Sequence, residues 1–153
     1  MIVFRLSKAA FANDLYGKGA EKSGGRWNSK GVAMVYTSAS RALCTTEIAV
    51  HTPLGNLPTD YKLISIEIPD NVPIKEFLLK NLPFDWKSVP QSHSTQLIGD
   101  LFIQENMFAV LKVPSVVVQD EFNYLINPQL IKTNNIQVID IQAFDFDVRL
   151  FNR

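Results

Sequence analysis

The chain has 153 residues, 46% of them hydrophobic and 20% charged, with 15 Lys/Arg against 15 Asp/Glu and one cysteine, Cys44. That length and apolar share suit a single domain spanning 1–153, while zero net charge argues against direct nucleic-acid binding and one cysteine excludes an internal disulfide or a thiolate zinc cage. No window approaches the roughly 20 apolar residues that span a bilayer, and Met1-Ile2-Val3-Phe4-Arg5 lacks the order of a signal peptide, so a cytoplasmic protein without membrane contact is expected.

Ile2–Leu6 reads as a first strand. Residues 7–31 are rich in Gly, Lys, Ser and Asn without periodicity and read as one long loop, a length that in compact domains usually carries function. Ala33–Thr37 has strand composition, and Thr37-Ser38-Ala39-Ser40 offers N-caps for a helix to about His51, stopped by Pro53 and Gly55. On that helix Leu43, Ala49 and Val50 are expected to face the core, Cys44 to be a small buried hydrophobe, and Glu47 to stand beside the apolar stripe.

Ile64, Ile66 and Ile68 alternate with Ser65 and Glu67, which predicts a strand with one buried face. A polar, proline-bearing stretch runs from about Asn81 to Ser92, and Thr95–Asn106 has helical spacing despite Gly99. Ala109–Val113 and Ser115–Val118 read as strands on either side of Pro114, and Ile136–Phe146 as a terminal strand or two. The expected class is therefore α+β, one compact domain with short mixed or antiparallel strands and two main helices.

Gly24-Gly25-Arg26-Trp27-Asn28-Ser29-Lys30-Gly31 reads as an anion-binding loop: glycines for close backbone approach, a guanidinium fork at Arg26, and short polar groups at Asn28 and Ser29. Residues 1–50 hold seven Lys/Arg against three Asp/Glu, and the remainder eight against twelve, so a small polyanion suits the first third. The competing reading is a tight turn in which Arg26 makes a surface ion pair and Trp27 anchors the loop. Gly17-Lys18-Gly19 fails as a dinucleotide fingerprint because Lys22 stands where the third glycine belongs. His51 and His93 match no metal-ligand spacing, and a triad of Ser115 with His51 lacks the context of a nucleophile elbow.

Leu15–Ala20, Gly24–Gly31, Val35–Ser38 and Glu47, followed in order by Ile98-Gly99-Asp100, Val113–Val117 and Asn123–Pro128, resemble the RES-domain toxin family. The family is named for an arginine, a glutamate and a serine, which the match places at Arg26, Glu47 and Ser115. Gln129-Leu130 departs from a pattern in which many members carry a small residue and a histidine. The resemblance implies a bacterial toxin of a type II toxin–antitoxin pair that degrades NAD⁺, with a fold similar to ADP-ribosyltransferase toxins. It also implies an Xre-like antitoxin covering the active site, in a complex with room for a homodimer of this chain.

Cleaving the nicotinamide–ribose bond of NAD⁺ requires stabilising an oxocarbenium-like transition state, for which Glu47 is the candidate carboxylate. Arg26 would clamp the pyrophosphate, and Tyr36 would set its ring against the cationic nicotinamide. Ser115 would hydrogen-bond the ribose or carboxamide without acting as nucleophile, since no general base accompanies it in sequence. Gly25, Trp27, Asn28, Ser29 and Asn123 complete the expected substrate-binding set, with packing or turn formation the main role of Trp27 and Asn123. NAD⁺ enters as substrate, with no cofactor or metal. Water, phosphate or a protein remains open as acceptor, as do a ribonuclease built on Glu47 with His51 or His93 and a binding module without catalysis.

Overall fold

The computed structural model describes residues 1–152. Its strands are β1 (Ile2–Lys8), β2 (Val35–Ser38), β3 (Tyr61–Glu67), β4 (Ile74–Glu76), β5 (Val110–Pro114), β6 (Phe122–Ile126) and β7 (Gln137–Phe144); its helices are α1 (Lys18–Ser23), α2 (Arg41–His51) and α3 (His93–Glu105). The strands form one sheet in the order β4-β5-β6-β2-β1-β3-β7, antiparallel throughout except for β4 with β5. This is the expected α+β class, with 11-residue α2 and 13-residue α3 as the two main helices.

Register decides what each face carries, because directly paired residues project to the same side. Leu111 pairs with Leu125, Leu125 with Tyr36, Ser38 with Phe4, and Leu6 with Leu63, so all of these share one face. α3 covers its β5–β6 end through Phe102 and Ile103, and α2 covers its β1–β3 end through Cys44, Ile48 and Ala49. Edge-to-face rings of Tyr61, Phe144, Phe146 and Phe151, with centroids 4.9–5.5 Å apart, extend the α2 layer. The opposite face, with Val3, Val35, Ile64, Ile66, Val110 and Ile126, is capped by Ala12, Val72, Ile131 and Ile136 from connecting segments. Between α2 and α3 the first face is left to polar side chains.

Local sequence explains the helix limits. Ser40 caps α2 by accepting the Leu43 N–H at 3.0 Å, and Ser92 caps α3 by accepting the Ser94 N–H at 3.1 Å. Asn106, at φ 52°, closes α3 in the left-handed region that asparagine tolerates.

Several expectations are corrected. Residues 7–31 are not one loop, since they contain α1 and a 3-10 turn at Ala9–Phe11. β3 is buried on both faces, because loops cap one side and α2 the other; Ser65 is small enough to lie inside. Val50 is 57% exposed, pointing away from the sheet that Cys44 meets. Ser115–Val118 is a bend, not a strand, since Ser115 uses its own hydroxyl to bind the next turn. β4 and β6 went unpredicted, and the C-terminal region holds a single strand, β7.

Candidate active site

Glu47 projects from α2 toward the uncovered part of the sheet, where β5, β6 and β2 bring in the rest of the site. Its Oε1 accepts the Ser115 hydroxyl at 2.9 Å and the Asn123 Nδ2–H at 2.8 Å. Oε2 has no hydrogen-bond partner among the described residues, so the carboxylate is fixed through one oxygen and offers the other. Ser115 is held in turn: its Oγ accepts the N–H groups of Val117 (3.0 Å) and Val118 (3.1 Å). With its lone pairs so occupied and its proton directed at Glu47, this hydroxyl orients the carboxylate and is poorly placed to attack a substrate. Asn123 is anchored by the Ser38 hydroxyl, which donates to its Oδ1 at 2.8 Å.

The glycine loop is built differently from an open phosphate cradle. Gly25 N–H donates to Asn28 O at 2.9 Å, Trp27 N–H to the Tyr36 hydroxyl at 3.0 Å, and Ser29 N–H to Asp100 Oδ1 at 2.8 Å. Alternate amides of the loop are thereby committed inside the protein. Asn28 is fully buried; its Nδ2 donates to Ala20 O (2.8 Å) and Val32 O (2.9 Å), and its Oδ1 accepts from Tyr36 at 2.6 Å. Trp27 is likewise buried, packed with Met34, Phe102 and Leu111. The side chains of Trp27 and Asn28 therefore build the loop. Gly25 is required for that fit, because a Cβ there would stand 2.7 Å from the Tyr36 oxygen and 2.9 Å from Asn28 Oδ1.

What the loop presents is Arg26. Its Nη1 donates to the carbonyls of Trp86 (2.9 Å) and Ser88 (3.0 Å), and neither Nε nor Nη2 is engaged among the described residues. No carboxylate of those residues lies within 4.0 Å, so the surface ion pair of the competing reading does not form. Burial pulls the guanidinium pKa down, while the nearby Glu47 charge and Tyr36 pull it up. Arg26 thus feels the Glu47 charge without forming an ion pair with it. Burial pushes the Tyr36 phenol up from its ordinary value and keeps it a neutral donor.

A cavity of about 590 Å³ opens beside this group, lined by Phe77, Trp86, Lys87, Pro114, Ser115 and Phe122 among others. Ser115 is shared by the cavity wall and the Glu47 hydrogen bonds, whereas Glu47, Arg26, Tyr36 and Asn123 do not themselves line the cavity. His51 and His93 are exposed at the end of α2 and the start of α3; neither lines the cavity nor bonds to Glu47.

The sequence assigns no site role to Ser38 or Asp100, which enter it only as an N-cap candidate and as parts of family-like motifs, nor to Gln96 or the Trp86–Ser88 segment. Gln96 Nε2 donates to Gly25 O at 3.0 Å, so α3 grips the loop at both Gly25 and Ser29. Gly99 carried a readable signal: a helix interior keeps glycine at a cost unless a backbone must pass close, and a Cβ here would lie 1.6 Å from Trp27 O.

A protein-family model described as RES domain matches residues 2–148. The chain is 38% identical to a protein named Prs ADP-ribosylating toxin from Sphingobium sp. (strain YBL2), over 93% of this chain and 89% of that one. It is 33% identical to a Toxin Res of Photorhabdus laumondii, covering 97% and 94%, and 33% identical to a Toxin Res of Yersinia enterocolitica, covering 98% and 99%. Among solved structures, a chain of the M. tuberculosis MbcT–MbcA toxin–antitoxin complex shares the fold at a TM-score of 0.72 and 20% identity, covering 98% of this chain and 86% of that one.

Proposed function

The chain belongs to the RES domain family, and we propose that it is a toxin enzyme that cleaves the nicotinamide–ribose bond of NAD⁺. The observation that carries the proposal is the Glu47 carboxylate, tied through Oε1 to Asn123 and to Ser115, which itself lines the 590 Å³ cavity, with Oε2 unclaimed among the described residues. A carboxylate so fixed stabilises positive charge developing on the ribose without having to reorganise as the glycosidic bond breaks. Arg26 would take the pyrophosphate with its free Nε and Nη2, and the ring of Tyr36 would face the nicotinamide. Ser115 and Asn123 serve by aiming Glu47, which leaves NAD⁺ as substrate and asks for no cofactor.

Incubating the purified chain with NAD⁺ and following free nicotinamide tests the proposal; release by the wild type and its loss in Glu47→Gln is the expected result. The same site supports a second reading, ADP-ribosyl transfer to a protein, favoured by the relative named for ADP-ribosylation. A labelled protein in place of free ADP-ribose or its phosphate identifies transfer. The ribonuclease reading is weakened because His51 and His93 are both exposed and neither hydrogen-bonds Glu47, although His51 stands one helical turn from it on α2.

An NAD⁺-consuming enzyme with an accessible site would poison its own cytoplasm unless restrained, and the MbcT–MbcA neighbour is a toxin held with an antitoxin. We infer an Xre-like antitoxin for this chain, binding over the Arg26 side of the site, in an assembly that accommodates a toxin homodimer. Expression alone should arrest growth and deplete NAD⁺, and co-expression of the neighbouring antitoxin should restore both.

A further inference from the structure

Ser38 occupies the end of β2, is buried, and does not line the cavity. Its hydroxyl donates to Asn123 Oδ1 at 2.8 Å, and the other end of the same amide donates to Glu47 Oε1 at 2.8 Å. Pairing of Ser38 with Asn123 across β2 and β6, and of Asn123 with Val113 across β6 and β5, sets this line directly beneath the carboxylate. All donors in the line point toward the acid, so each polarises the next. A carboxylate only accepts, which obliges the amide to turn Nδ2 to Glu47 and leaves the Oδ1, facing buried Ser38, to take a donor. Ser38 supplies that donor.

Resting on the reading of Glu47 as the NAD⁺-cleaving carboxylate, we propose that Ser38 is a positioning residue that acts through Asn123, keeping the amide turned so that Glu47 presents Oε2 to the substrate. Without the hydroxyl, the Asn123 oxygen loses its one protein partner among the described residues and the amide loses its fixed orientation.

The test compares Ser38→Ala, Ser38→Thr, Asn123→Ala and the Ser38→Ala/Asn123→Ala double variant in NAD⁺ cleavage, with melting temperature and the side-chain amide NMR signals of Asn123 read alongside. Ser38→Ala should lower kcat about tenfold with KM within about twofold, the scale of one lost buried hydrogen bond acting only on the transition state. Ser38→Thr, which keeps the hydroxyl, should recover most of the rate, and adding Ser38→Ala to Asn123→Ala should cost nothing further. Equal kcat in Ser38→Ala, or losses that multiply in the double variant, would overturn the proposal. The amide signals judge the relay without activity: they should shift in Ser38→Ala and return in Ser38→Thr, and signals unmoved by Ser38→Ala count against it. Absence of cleavage by the wild type would instead remove the reading of Glu47.

Discussion

The Tyr36 hydroxyl stands 2.6 Å from Asn28 Oδ1 while accepting the Trp27 N–H at 3.0 Å, so one phenol ties β2 to both buried residues of the glycine loop. Tyr36→Phe keeps the ring but strands a buried acceptor and an amide. The expected cost is about 1–3 kcal/mol of stability, seen in denaturant unfolding, together with reduced NAD⁺ turnover. An unfolding midpoint equal to wild type would show that the ring alone matters.

Glu47→Gln keeps an oxygen able to accept from Ser115 and Asn123, so the fold should survive. Loss of the charge should reduce NAD⁺ turnover at least about 100-fold, or ~2.7 kcal/mol. Nicotinamide release by the folded variant is the measurement, and near-normal release removes Glu47 from the chemistry.

Arg26→Lys cannot serve the Trp86 and Ser88 carbonyls and also offer a planar fork to a pyrophosphate. Weaker substrate binding is expected, on the order of tenfold in KM for NAD⁺, with smaller change in stability. Steady-state kinetics beside a melting curve separates the two effects.

Two glycines near one another in sequence should respond oppositely to alanine. Gly25→Ala drives a methyl to 2.7 Å from the Tyr36 oxygen and should cost about 1–3 kcal/mol. Gly19→Ala, in α1 with nothing within 4 Å of the added carbon, should stabilise by about 0.5–1 kcal/mol. Equal responses in thermal unfolding would contradict the close packing of the loop.

Burial pushes the Cys44 thiol up to about 12 from 9.0, and the native state therefore holds its proton where the unfolded chain releases it. Stability should fall as pH rises from 9 toward 12, and Tyr36, also raised by burial, adds to the decline. Cys44→Ala should flatten the thiol's share of this slope. At pH 8 native Cys44 should react with thiol reagents only as fast as the protein opens.

Residues whose signal is local are legible in the sequence itself. Ser40 capping, the apolar spacing around Leu43 and Pro53 located α2, and with it Glu47, to within a residue or two. β6 was missed because Phe122–Ile126 shows no alternation; both of its faces meet other elements, and only Asn123 turns to the carboxylate. The partners of Arg26 were beyond sequence reasoning for a different reason. They are backbone carbonyls some sixty positions away, and a carbonyl has no residue-type signature. In sequence Gly25 reads as room for a ligand, whereas the space belongs to Tyr36 and Asn28, a contact that exists only once β2 and the loop have folded together.

Strand β2 pairs with β6 across a separation of more than eighty positions, as Ser38 does with Asn123. The ribosome therefore delivers Glu47 long before Ser115 and Asn123, and β2 has no neighbour on that side until β6 emerges. Throughout that interval the growing chain carries the acid without either group that aims it. The site is therefore completed only late in synthesis, and a product terminated before β6 should neither release nicotinamide from NAD⁺ nor arrest growth when expressed.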